Sequence, residues 1–271
     1  MEPIYYEIYG EGKPLVIFHP LATDHRAMKG WMEPIFEQVT GWQRIYVDLP
    51  AHGKSGLGLD VTTSDDFVAI FVEFLESLLG KTRRFSLVGQ SFGGYIAQGI
   101  FSKMKEQVDG LCLLAPAIHI KDRTLPERVI LEKDEDLLCD IDSDVATAFD
   151  TLMVVQNKRN LVAFLADIQP GRELANRVFL AGEWRKNGYF FSQEPFGEDE
   201  VFGNPALFLL GRQDWICGYE DQRKLLNYFP HATYAVLDQA GHMLQIEKRK
   251  LVQSLFVEWL ESIKHTSTPI S

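Results

Sequence analysis

"LVGQSFGGY", residues 87–95, begins as an apolar run and ends in small residues around one serine. Gly89-Gln90-Ser91-Phe92-Gly93 fits Gly-x-Ser-x-Gly, the turn by which a buried strand hands a serine to the start of a helix. Such a turn is so tight that side chains two positions before and after the serine would collide with backbone, so glycine stands at both. The serine is held in a strained conformation above the strand ends. A helix N-terminus there also lets aligned amide dipoles stabilise negative charge. The plain alternative is a strand followed by a Gly-rich turn with no chemistry. Context favours the nucleophile, because a buried strand pattern precedes Ser91 and a helical pattern follows it.

The flanking sequence repeats the same rhythm. "PLVIFHP" (14–20), "RIYVDLP" (44–50), "RFSLVGQ" (84–90), "GLCLLAP" (110–116) and "ALFLLGR" (206–212) are short, nearly continuous apolar runs. Continuous runs imply strands covered on both faces, as in a parallel sheet under two layers of helices. Helical spacing lies between them, at roughly 26–39, 65–79 and 92–105, with Asp24 and Ser64 as N-caps of the first two. "IYYEIY" (4–9) alternates and stops at Gly10-Glu11-Gly12, which predicts a strand, a turn and a hairpin partner. After 212 come a helix near 219–229, the strand "TYAVLDQ" (233–239), a closing helix near 247–263 and a frayed "HTSTPIS" (265–271). The rhythm breaks once. From 117 to 203 the chain is charged and helical with apolar stripes, which predicts a helical cap inserted into a doubly wound α/β core of residues 1–116 and 204–271.

Composition narrows the partners. The 271-residue chain carries a net charge of −11 and is 46% hydrophobic. Nucleic-acid binding needs clustered Lys and Arg, and none stands out, since "EKRK" (247–250) reads as the solvated start of a helix. The expected partner is a small molecule, neutral or apolar. No basic segment followed by an apolar core opens the chain, and no apolar run reaches the ~20 residues that span a bilayer. The expectation is a cytoplasmic protein with no membrane or nucleic-acid partner. Cys112, Cys139 and Cys217 form neither a disulfide framework nor a metal pattern, and no HExxH or paired histidines appear. No metal or cofactor is expected. Oligomeric state is left open.

A serine hydroxyl is a poor nucleophile until a base takes its proton, and that base needs a third group to orient it. "VLDQAGHMLQIE" puts His242 in a loop after the last strand, presented by the small residues Ala240 and Gly241. "FLLGRQDWICG" puts Asp214 just after the preceding strand. Asp122, after the strand at 110–116, is a rival acid, less favoured because it lies further into the link to the cap. His19 and His52 read as loop-shaping residues, and His25, His119, His231 and His265 as surface or cap residues. Cys217 reads as a small buried filler. Of Phe149, Met153, Phe164, Phe179 and Trp184 in the cap, about two are expected to face the site.

With Ser91, Asp214 and His242 in that order, the chain resembles the cap-bearing serine hydrolases of the α/β-hydrolase fold superfamily: esterases, lactonases, aminopeptidases and carbon–carbon-bond hydrolases. The resemblance spans almost the whole length and rests on "VIFHP", "VDLPAHGKS", "GQSFGG", "GRQD" and "AGH". It implies a mostly parallel twisted sheet with helices on both faces and an inserted helical cap. It also implies Ser91 as nucleophile, His242 as general base and then acid, and Asp214 as the orienting carboxylate. The backbone N–H groups of Phe92 and Leu21 would form the oxyanion hole. Two positions depart from the pattern: Pro20 and Ala51 stand where glycine is usual, and Pro20 stiffens the loop that carries the Leu21 donor.

The expected activity is therefore hydrolysis of a small carboxylic ester or related acyl substrate. Carbon–carbon hydrolysis of a ketoacid would need a cation such as Arg185, Arg159 or Arg177. An aminopeptidase would need carboxylates near 132–144 aimed at a free amine. A hydrolase-fold receptor that binds with negligible turnover is the alternative of another class, separable by counting turnovers per site.

Overall fold

Along each buried run, successive side chains enter opposite layers. Val16 and Phe18 pack on one face of the sheet while Leu15 and Ile17 pack on the other. Leu87, Leu111, Leu113 and Phe208 join the first layer, and Val88, Cys112, Leu114, Leu207 and Leu209 the second. This two-sided burial is why the runs read as continuous rather than alternating. Each large apolar side chain so buried contributes about 1.5–3 kcal/mol.

The protein is described here by a computed structural model covering residues 4–58 and 61–266. The strands are β1 (Tyr6–Tyr9), β2 (Lys13–Phe18), β3 (Trp42–Val47), β4 (Phe85–Gln90), β5 (Val108–Leu114), β6 (Glu132–Lys133), β7 (Val155–Gln156), β8 (Ala206–Gly211) and β9 (Thr233–Leu237). The helices are α1 (Arg26–Met32), α2 (Ser64–Leu79), α3 (Phe92–Met104), α4 (Ser143–Leu152), α5 (Lys158–Asp167), α6 (Gln169–Leu174), α7 (Arg177–Ala181), α8 (Leu225–Tyr228), α9 (Leu244–Glu247) and α10 (Arg249–Thr266). Seven strands form one sheet in the order β1-β3-β2-β4-β5-β8-β9. Only β1 is antiparallel to its neighbour, and the other pairs run parallel. Residues of α2 and α3 cover one face, and those of α1 and α10 the other. The mostly parallel α/β architecture expected from the sequence is what forms. No helix among the described residues is long and apolar enough to cross a membrane.

Several local expectations change. The Gly10–Gly12 turn does not close a hairpin: β1 pairs with β3, because both edges of β2 are taken by β3 and β4. The glycines let the chain cross the end of β3, since a Cβ on Gly12 would lie 2.2 Å from the Gly41 carbonyl oxygen. Thr63, not Ser64, caps α2 and forms a capping box with Asp66. Asp24 sits one residue before the α1 cap position but still accepts the Arg26 N–H and pairs with the Arg26 guanidinium. The closing helix continues to Thr266, so the frayed tail expected over 265–271 falls mainly on positions outside the described residues, as does the His265 side chain.

Between β5 and β8 lie α4 to α7 and the two-residue pairing of β6 with β7. Phe149, Met153, Leu161, Phe164 and Ile168 cluster there against Ala27, Met243 and Ile246. This cluster seats the helical segment directly on the loop that carries His242.

Candidate active site

Three strand ends deliver the site. At the end of β4, Ser91 adopts φ 54 and ψ −120, a left-handed conformation costly for any residue but glycine. Gly89 and Gly93 make the turn possible: a Cβ at 89 would lie 2.5 Å from the Gly93 oxygen, and one at 93 only 2.4 Å from the His19 oxygen. The second approach also presses the loop after β2 against the start of α3. At the end of β8, Gly211 performs the same service, because a Cβ there would lie 2.2 Å from the Gly241 oxygen. The loops after β8 and β9 can therefore converge.

In that convergence His242 Nδ1 lies 3.0 Å from Asp214 Oδ2, and His242 Nε2 lies 2.9 Å from Ser91 Oγ. An ionised carboxylate only accepts, so Nδ1 carries the proton and Nε2 is free to accept from the serine hydroxyl. Asp214 is fully buried, and its Oδ1 accepts the N–H groups of Ile216 and Cys217 at 2.9 and 3.0 Å. Burial disfavours the imidazolium, but attraction to Asp214, reinforced by Cys217, more than offsets it and holds the His242 pKa above its ordinary value. The rival Asp122 is exposed on the surface, away from this chain of bonds.

The N–H groups of Phe92 and Leu21 have no acceptor among the described residues. Phe92 directly follows Ser91 in the chain, and Leu21 lines the same cavity as Ser91. Pro20 does not withdraw the Leu21 N–H. Its carbonyl accepts from His19 Nδ1 and Thr23 Oγ1, while His19 Nε2 accepts the Leu49 N–H, which fixes the loop. His52 is likewise a turn residue, bonded through Nδ1 to the Pro50 carbonyl; burial takes its pKa down to about 3. Ala51 accepts the strain that glycine would avoid, at φ 66.

Other expectations need correcting. His25 is buried rather than superficial, held between Asp48 Oδ1 at 2.8 Å and Glu7 Oε1 at 3.2 Å. His119 is half-buried against the Tyr95 hydroxyl at 2.8 Å, whereas His231 is exposed as expected. Cys217 is buried in the core as expected, with its sulfur within 4.8 Å of side-chain atoms of Asp214 and His242. A cavity of about 330 Å³ opens over Ser91 and His242. None of Phe149, Met153, Phe164, Phe179 or Trp184 lines it. The first three fill the junction cluster, and Phe179 and Trp184 stack against Phe67, because apolar rings gain more from sealed packing than from an open wall. Thr147, Ala148, Thr151 and Leu152 of α4 form that wall instead.

Two positioning residues escaped the sequence reading. Gln90, inside the serine motif, donates from Nε2 to the His242 carbonyl at 3.2 Å and to Gln245 Oε1 at 2.8 Å. Glu247, read as part of a solvated helix start, is buried. Its Oε1 accepts the N–H groups of Val154 and Val155 at 2.7 and 3.0 Å, and its Oε2 that of Gly241 at 2.6 Å. One carboxylate thus ties the segment after α4 to the residue preceding His242. Burial raises its pKa, and the three N–H bonds pull it only part of the way back, to about 7. The Glu247→Gln variant keeps the shape but offers one acceptor oxygen in place of two, leaving an N–H group on one side facing an NH₂. That costs about 1–3 kcal/mol, so the melting temperature should fall by roughly 2–10 °C in thermal unfolding. An unchanged melting temperature would show that these N–H groups have other acceptors.

Comparison with known proteins agrees with this architecture. A solved α/β superfamily hydrolase from Oenococcus oeni PSU-1 superposes with a TM-score of 0.87 at 30% identity, covering 96% of each chain. Human monoacylglycerol lipase ABHD6 is 22% identical over 94% of this chain and 77% of its own length. The pimeloyl-[acyl-carrier protein] methyl ester esterase of Legionella pneumophila (strain Corby) is 24% identical over 95% of this chain and 99% of its own. The family model for the alpha/beta hydrolase fold matches residues 13–249, and the chain belongs to that family.

Proposed function

We propose that the protein is a serine hydrolase that cleaves a small carboxylic ester through an acyl-enzyme on Ser91. One observation carries the reading: the unbroken relay from Ser91 Oγ to His242 Nε2 and from His242 Nδ1 to Asp214 Oδ2, at 2.9 and 3.0 Å. Similarity to proteins named as a lipase and a methyl ester esterase supports the ester class.

In the proposed cycle His242 accepts the Ser91 proton as Oγ attacks the ester carbonyl carbon. The tetrahedral oxyanion rests on the N–H groups of Phe92 and Leu21, and the first turn of α3 adds its dipole. Collapse breaks the bond to the alcohol, which leaves with the proton held by His242. Water then enters, gives a proton to His242 and attacks the acyl-enzyme; collapse breaks the bond to Ser91 Oγ, which takes the proton back from His242 as the acid leaves. Asp214 holds the tautomer and stabilises the imidazolium without itself taking the proton. The segment between β5 and β8, residues 117–203 of which form the proposed cap, would exclude water from the acyl-enzyme.

A fluorophosphonate probe tests the reading directly. Ser91 should displace fluoride and form a stable phosphonate ester, located by peptide mass spectrometry on the segment containing residue 91. Labelling at another residue, or none across pH 6–9, would refute it.

A further inference from the structure

The wall of the cavity facing Ser91 carries cationic charge that the rest of the molecule leaves uncommitted. Arg123, Arg172 and Arg185 line it, against a single carboxylate, Asp144. Asp144 is engaged by Arg172 and also by Arg177, at 3.1 and 2.9 Å, and Arg172 further bonds Gln169 at 2.6 Å. Arg123 and Arg185 are different. Among the described residues neither has a carboxylate within ion-pair distance.

Both are nevertheless held in place. Arg123 is half-buried, donating from one guanidinium nitrogen to the Ile216 carbonyl at 3.1 Å and lying against Cys217 and the Tyr189 side chain. Arg185 stacks over the Tyr189 ring, its guanidinium carbon 4.1 Å from the ring centre. Tyr189 is itself buried and lines the cavity, so it serves as a shared platform that brings both cations to one wall. A protein of net charge −11 has many carboxylates, yet the one that lines the cavity, Asp144, pairs with Arg172 and Arg177, and Asp214 acts on Arg123 only from beyond ion-pair distance. An arginine fork presents parallel donors that match a carboxylate, and stacking on an aromatic face keeps the fork pre-organised.

We propose that Arg123 and Arg185 form a carboxylate-binding subsite, and that the preferred substrates are monoesters of short dicarboxylic acids. The ester carbonyl lies at Ser91 while the free carboxylate meets the two guanidinium groups. This departs from the neutral or apolar partner expected from overall composition, because net charge averages over a surface and the cavity samples only its own lining. The inference rests on the serine-hydrolase reading for its chemistry, but not for its binding test.

Monomethyl glutarate and dimethyl glutarate differ only in whether the distal group is an anion or a neutral ester. Titrated calorimetrically into the Ser91→Ala protein, the monoester should bind about tenfold or more tightly than the diester, the preference expected of charge-assisted hydrogen bonds. The preference should fall toward one when Arg185→Gln or Arg123→Gln is added, and return in part with Arg185→Lys, which restores charge without the planar fork. In the protein with Ser91 intact, pH-stat turnover should show the same ordering of kcat/KM and the same loss. Equal affinity for the two esters, no measurable binding of either, or a preference untouched by both glutamine variants would overturn the subsite. The exposed Arg185 gives a variant whose folding is not in question if Arg123→Gln loses structure. Preferential binding without turnover would instead refute the hydrolase reading and leave the subsite standing; turnover without charge preference would do the reverse.

Discussion

Ser91→Ala is expected to lower kcat for short-chain esters by about a million-fold, with little change in melting temperature. The hydroxyl contacts His242 Nε2, whereas every other bond of the residue is made by its backbone. The N–H donates to the Leu114 carbonyl at 2.9 Å, and the carbonyl accepts from Tyr95 and Ala117 at 3.1 and 3.0 Å. Those bonds survive the substitution, and so do the close approaches at Gly89 and Gly93. Alanine and serine carry a similar penalty at positive φ, so the elbow keeps its shape. What disappears is the atom that attacks. Measured with 4-nitrophenyl acetate and monomethyl glutarate, retention of even a tenth of the activity would mean that some other group is the nucleophile.

Asp214→Asn should cost about 10⁴-fold in kcat/KM and move the acid limb of the pH profile downward. An amide at this position presents an NH₂ as well as a carbonyl. The two N–H groups of Ile216 and Cys217 hold the carbonyl oxygen on their side, which turns the NH₂ toward His242. Nδ1 must then accept, the ring takes the other tautomer, and Nε2 carries a proton that faces Ser91 instead of a lone pair. The pH argument follows from the same contact. Asp214 holds the imidazole pKa above its ordinary 6.5, and the base works only when neutral, so wild-type activity is lost as pH falls through that raised value. With the Asp214 charge removed, the largest attraction opposing burial is gone, so the pKa falls and the limb shifts to lower pH. A limb that stays in place would assign the raised pKa to something other than Asp214.

Much of the architecture was legible because its causes are local. A strand buried on both faces must be apolar at every position, so Leu15 to Phe18 and Leu111 to Leu114 declared themselves. Steric limits at a strand-to-helix turn demand glycine at 89 and 93 whatever the rest of the chain does, and the chain order of serine, aspartate and histidine was legible through the resemblance to the α/β-hydrolases. The strand partner of β1 was not legible, because an alternating strand carries no mark of which neighbour it will choose. Nor was the role of Glu247, whose partners Val154, Val155 and Gly241 come from two other segments, or the lining of the cavity by α4 rather than by Phe149, Met153, Phe164, Phe179 or Trp184.

The sequence by itself therefore determined the layered α/β core and the serine turn, because backbone sterics and the burial of alternating side chains act over a few neighbouring positions; Asp214 and His242 were marked by their places after later strands and by the resemblance to the family. Tertiary structure alone decided which charges surround them. The environment of Arg123, Arg185 and Glu247 is set by groups distant along the chain, and a Coulombic or hydrogen-bonding balance exists only once folding has brought those groups within a few ångströms.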